Sequence, residues 1–237
     1  MNRFNATGSP VSSLDLSKRR DQMRKLVTGI LSERCYVVFA TEIGLQCHGR
    51  LAGLTAVGLS GLIRESMPNQ YVGPLPAIAV VDDDLRCGKF GPEGAALVLD
   101  AIILHEAAHI VASAVTSAIC PDADTEALRD LVQTPWREWQ SHSGPFRWAG
   151  HDHKFIRALC HLHHRMQSRG HQVSLNLAFN HESYGLSSAE RYAEALGGEC
   201  ERLNWKPLKE ALGGPMPAEF QKLWQDDVVR SLSLVPV

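Results

Sequence analysis

The sequence predicts an α+β fold: a small mixed sheet packed on one long apolar helix, with additional helices toward the C-terminal side. Three observations carry that expectation. Cys35 to Ala40 (CYVVFA) and Ala77 to Val81 (AIAVV) are short, β-branched or aromatic runs of the kind that form strands, and Pro74 and Pro76 mark the entry to the second. A much longer apolar run extends from Ala95 to about Ile119, preceded by Pro92 and Gly94 and closed by Pro121, and its length makes it a helix. Beyond it, apolar residues recur mostly at helical spacing.

Taken in order, residues 1–16 read as a polar, flexible leader. Met23, Leu26, Val27, Ile30 and Leu31 then recur at helical spacing through roughly 18–34. Between the two strands, 41–70 is rich in glycine and leucine with no decisive period, so helix and strand stay open there. Residues 121–150 begin acidic and become a proline, glycine and tryptophan stretch, read as a short helix and a long loop. From His151 to about Arg169, Phe155, Leu159 and Leu162 keep helical spacing, with Gly170 where a C-terminal cap falls. Ser187 and Glu190 stand at capping-box spacing before a run that ends at Gly197 and Gly198. Further helical patterns lie near 199–212 and 217–232, separated by a GGPMP turn. The division expected is a leader over 1–16, a metal-binding domain over 17–180 and a helical extension over 181–237.

The chain has 237 residues, 44% of them hydrophobic, enough for one sizeable core. With 26 acidic against 24 basic side chains, the formal charge of -2 gives no bulk attraction to nucleic acid or to an anionic membrane. Lys18, Arg19, Arg20, Arg24 and Lys25 form a local basic face, read as solvated surface, which leaves a nucleic-acid contact open. Leu51 to Ile63 is too short to span a membrane, and Gly94 to Cys120 contains Asp100, His105, Glu106 and His109, so no membrane partner is expected. The N-terminus has no apolar signal core, and the six cysteines (Cys35, Cys47, Cys87, Cys120, Cys160, Cys200) are far apart. Buried free thiols in the cytoplasm are the expectation.

Residues 105–109 read His-Glu-Ala-Ala-His, inside the long helix. Positions i and i+4 share a helix face, so the imidazoles of His105 and His109 can reach one tetrahedral zinc ion. Glu106 is rotated off that line, where its carboxylate can act as general base toward a metal-activated water. Two histidines and a glutamate buried in an apolar helix would cost several kcal/mol unless each found a partner, which a metal supplies at once. A catalytic zinc needs a third protein ligand. Seven histidines lie between 142 and 171 (His142, His151, His153, His161, His163, His164, His171), and Glu126 or Glu182 would also serve. His151 is best placed, because it opens a helix that Phe155 anchors four residues later. His153 and a glutamate, including Glu190 or Glu194, remain alternatives, while His161, His163 and His164 read as solvated or helix-face residues.

HEAAH followed by Gly150-His151-Asp152-His153-Lys154-Phe155 resembles the SprT-like zincin pattern, an HExxH helix and then a histidine in an HGxxF-type segment. The resemblance covers about residues 95–165. It implies a zincin-like fold, Zn2+ as cofactor, His151 as third ligand and hydrolysis of a peptide or protein substrate. Asp152 stands where the family has glycine, the link from His109 to His151 is longer, and the cysteines form no zinc ribbon, which separates the chain from DNA-associated members. Two rivals stand beside a zinc metallopeptidase: a non-catalytic zincin-like binding module, and a DNA-associated protease of the SprT-like kind. AIAVV resembles the zincin edge strand that pairs with substrate, although an ordinary core strand reads the same way. Trp136, Trp139, Phe146 and Trp148 could wall a cleft, and Tyr184 could donate to an oxyanion.

Overall fold

The structure, a computed structural model, describes residues 13–45, 52–55, 58–87, 89–112, 151–179 and 186–233. It is a mixed α+β fold with a small three-stranded sheet and many helices. The elements run α1 (Ser13–Leu31), β1 (Tyr36–Phe39), β2 (Gly53–Leu54), α2 (Leu59–Ser66), β3 (Ala77–Val80), α3 (Asp83–Arg86) and α4 (Gly91–Ala112). Then follow α5 (His153–Gln167), α6 (Leu175–Ala178), α7 (Ala189–Ala195), α8 (Glu199–Arg202), α9 (Leu208–Leu212) and α10 (Ala218–Ser233).

The sheet has the order β1-β3-β2, with β1 parallel and β2 antiparallel to β3. Alternation along the strands divides their side chains between two cores. Val37, Phe39, Ile78 and Val80 belong to the core shared with α1 and α4, while Tyr36, Val38, Ala77 and Ala79 belong to a smaller one with Leu59, Leu62 and Ile63 of α2. Both faces are covered, which is why β1 and β3 read as unbroken apolar runs and not as alternating ones. The sheet therefore sits as a middle layer, and β3 is its centre. Among the described residues AIAVV is thus the central core strand, flanked by β1 and by β2, and β2 is two residues within the stretch 41–70 that carries no period. That stretch also supplies a 3-10 turn at Ala40–Ile43 and helix α2.

Helix α4 is apolar on nearly all sides. Its length and composition would let it cross a membrane, yet 61% of that window is buried by the rest of the fold. It packs against α1, the sheet, α5 and α6. Helix α1 starts at Ser13, earlier than expected, because Leu16, placed by the sequence in the leader, is already buried in the core. The basic face of α1 is also not simply solvated. Arg19 Nε donates to Asp100 Oδ1 at 2.8 Å, and Asp100 is fully buried on α4. Arg20 pairs with Glu42 and lies over the Phe39 ring.

The segment after 186 contributes Leu186, Ala189, Tyr192, Leu196, Leu208 and Phe220 to the same core that α4 and α5 line. Ser187 does not cap α7. Its amide and hydroxyl both donate to the buried Asp227, at 2.6 and 2.9 Å, which leaves Ser188 at the N-cap without a side-chain bond. Gly170 does end α5 in the left-handed region, φ 80°, as the sequence predicts. Of the described cysteines, Cys35, Cys160 and Cys200 are buried free thiols, whereas Cys87 is exposed on the turn after α3.

Burial lifts the Asp100 carboxyl above the ordinary range, and Arg19 opposes that rise. Arg19→Met would remove the opposing guanidinium, so the charged form of Asp100 becomes the destabilising one. The expected loss is about 2 to 3 kcal/mol near pH 8, shrinking as the pH falls and Asp100 takes up a proton. Urea unfolding at two pH values checks it, and equal losses at both would show that Asp100 ionisation is not the cause.

Candidate metal centre

His105 and His109 lie one turn apart on α4, and the chain returns to them at His151, just before α5. Asp152 is the N-cap of that helix: its Oδ1 accepts from the amides of Lys154 and Phe155 at 2.9 and 3.1 Å. The helix therefore begins at His153, and His151 stands one residue before the cap instead of opening the first turn. Capping fixes the backbone direction at this point, and Phe155 fixes the depth. The Phe155 ring is fully buried, with its centroid 4.9 Å from that of His105, 4.4 Å from that of His109 and 4.7 Å from that of His151. One aromatic side chain thus forms the floor under all three imidazoles.

His105 Nε2 lies 3.1 Å from His109 Nε2 and 3.0 Å from His151 Nε2. Among the described residues these three form the one group of histidine, cysteine or carboxylate side chains able to hold a metal ion. Tautomer chemistry tests the fit. His105 Nδ1 lies 2.7 Å from the Ala178 carbonyl, which only accepts, so Nδ1 carries the proton and the neutral ring offers a lone pair at Nε2. One in-plane lone pair cannot serve two converging N–H donors well. A cation satisfies all three nitrogens together, and tetrahedral coordination at the usual zinc–nitrogen length puts ligand nitrogens about 3.3 Å apart. The carbonyl bond to Nδ1 is the outer support that metal-bound imidazoles commonly have.

Electrostatics favour the ligating protonation state. Burial lowers the pKa of His105, against a smaller raising effect of the Ala178 carbonyl. Burial, followed by the neighbouring His105 and His151, pushes His109 down to about 2. Neutral imidazole is the form that binds metal. Glu106, on the adjacent face of α4, is buried and faces β2; burial raises its carboxyl to about 7, partly offset by the neighbouring Thr55 hydroxyl. A carboxyl poised there can both accept and return a proton near neutral pH.

Comparison with protein-family models, curated proteins and solved structures gave no significant match. The site must be read from its own geometry.

The structure brings together His105, His109 and His151, and among the described residues the other histidines stand apart from them. His153 has its ring 5.8 Å from that of Trp224. His161 is not a solvated helix-face residue: it is fully buried, its Nε2 2.8 Å from Glu199, which also accepts from Arg157 at 2.9 Å. Its signal in the sequence is spacing, since Arg157, His161 and Arg165 recur every fourth residue as the polar stripe of α5. His163 bonds the Val173 carbonyl at 2.9 Å. Glu190 and Glu194 are exposed on α7. His142, Glu126, Glu182, Tyr184, Trp136, Trp139, Phe146 and Trp148 lie outside the described residues. The residues that sequence reasoning missed are Gly53 and Thr55, which lie against Glu106.

Zinc added to the metal-free protein should raise its unfolding midpoint, with a gain of about 2.7 kcal/mol at a hundredfold excess over Kd. His151→Ala should lose most of that gain while keeping a cooperative transition. Differential scanning calorimetry with and without zinc checks this, and an undiminished gain in H151A would remove His151 from the ligand set.

Proposed function

We propose that this chain is a zinc-dependent metallopeptidase with a zincin-like fold, in which His105, His109 and His151 hold the metal and Glu106 is the general base. The observation that carries the reading is the return of the chain at His151, whose Nε2 meets that of His105 at 3.0 Å although 46 positions separate them in sequence. An HExxH pattern alone supplies two ligands and a carboxylate. A third imidazole at the same point supports a three-histidine coordination set, which in a catalytic zinc site leaves one position for water.

Bound zinc supplies Lewis-acid polarisation of a carbonyl and acidifies water. The remaining work falls to protein groups. Glu106 would accept a proton from the attacking water and pass it to the leaving amine, one carboxylate serving as base and then as acid. Phe155 closes the floor and excludes solvent from the ligand side. Beside Glu106 runs β2, at the end of the sheet order, where an extended peptide could add as a further strand. That geometry supports a peptide or protein substrate over a small molecule. The resemblance of HEAAH and the His151–Phe155 segment to SprT-like zincins agrees with this reading.

Elemental mass spectrometry of wild type beside His105→Ala and His151→Ala should find about one zinc per chain in wild type and a loss in both variants. Glu106→Gln should keep the zinc and lose at least about a hundredfold in turnover of a mixed peptide library. Wild-type protein that takes up no metal on reconstitution would overturn the proposal. Full function retained in E106Q would convert it to a metal-binding module without catalysis.

A further inference from the structure

The sheet comes tightly against the active-site helix at Gly53. A β-carbon built on Gly53 would meet Glu106 Cγ and Oε1, each at 2.9 Å, and Ile102 Cγ2 at 2.6 Å. Real β-carbons essentially never sit this close to another heavy atom, so any larger residue here would have to displace the Glu106 and Ile102 side chains. The backbone at Gly53 needs no left-handed conformation, so the requirement is one of space. Pairing fixes which side of β2 faces the helix. Gly53 lies opposite Val80 and Leu54 opposite Ala79, and Leu54 packs on the α2 side of the sheet. Gly53 and Thr55, two residues apart, therefore face α4 together. Thr55 Oγ1 donates to the Glu106 carbonyl at 3.3 Å.

We propose that Gly53 and Thr55 are positioning residues for the proton-transfer carboxylate: the bare backbone of Gly53 forms the wall against which the Glu106 side chain rests, and the Thr55 hydroxyl ties the edge strand to the same turn of α4. The contacts of both residues run to Glu106 and Ile102, so they act on the base. The role in turnover rests on the peptidase reading above, whereas the placement of Glu106 does not.

The experiment separates the two. The side-chain carboxyl carbon of Glu106 is followed by 13C NMR in metal-free, glutamate-labelled protein near pH 9, assigned by its disappearance in E106Q. Gly53→Ala should move that resonance, as should Thr55→Val, while Thr55→Ser restores the wild-type position. Gly29→Ala serves as control, because a β-carbon there meets nothing within 4 Å. Should G53A fold poorly, Ile102→Ala in the same chain removes the 2.6 Å contact and leaves the contact with Glu106. The double variant should regain a cooperative transition and keep the displaced resonance. In zinc-loaded protein, G53A should retain wild-type zinc content and lose about a hundredfold in kcat with KM changed less than threefold. A Glu106 resonance unmoved in G53A, or moved equally in G29A, overturns the proposal. A moved resonance in a protein without peptidase activity supports the placement and rejects only the peptidase reading.

Discussion

A helix that is apolar on nearly all sides must be covered over most of its surface, and α4 imposes that condition on the rest of the chain. Helix α1 and the inner face of the sheet cover one side, α5 and α6 another. The ligands follow from this arrangement. His105 and His109 point where α5 begins, so the residue ahead of that helix is brought to them. Glu106 points where β2 crosses, so its environment is a strand edge and not solvent. The same cover removes water, and loss of water keeps the imidazoles neutral and lifts the carboxyl.

Much of this was legible in the sequence, for identifiable reasons. β1, β3 and α4 are strong signals because each is buried on more than one side, which leaves long apolar runs. His151 could be singled out because Phe155 follows it at helical spacing, and Phe155 proves to be the floor of the cluster. Other features were hidden. Strand β2 is two residues long, Gly-Leu, with no alternation to detect, so the strand order was unreadable and AIAVV was open to being taken for an edge. The solvated reading of His161 and Arg19 failed because their partners, Glu199 and Asp100, lie 38 and 81 positions away. Charge pairing over such separations leaves no periodic trace.

Helix α5 connects the site to the C-terminal helices. Its apolar residues pack on α4, while Arg157, His161 and Arg165 reach the opposite way, to Glu199 and to the carbonyls of Leu203, Leu212, Gly214 and Pro215. These bonds are directional and buried or part-buried, so the later helices cannot slide along α5 by a turn without stranding a charge. The segment beyond 186 is in this sense part of the support of His151. Asp152, at the position where the resembling family has glycine, contributes from the other end by capping the helix.

The partner that orients His105 is the carbonyl of Ala178, a main-chain group. Every amino acid at 178 would carry the same oxygen, so no single side-chain exchange deletes this contact in the way that exchanging a carboxylate orienter would. Only a shift of the short helix around it, Leu175–Ala178, can do so. A substitution scan of the site would read only the packing of the buried Ala178 methyl and of its buried neighbours Leu175 and Phe179, which hold that helix in place, and never the loss of the contact itself. Sensitivity at Ala178 would report side-chain bulk, while the dependence of His105 on the backbone there stays out of reach of any side-chain exchange.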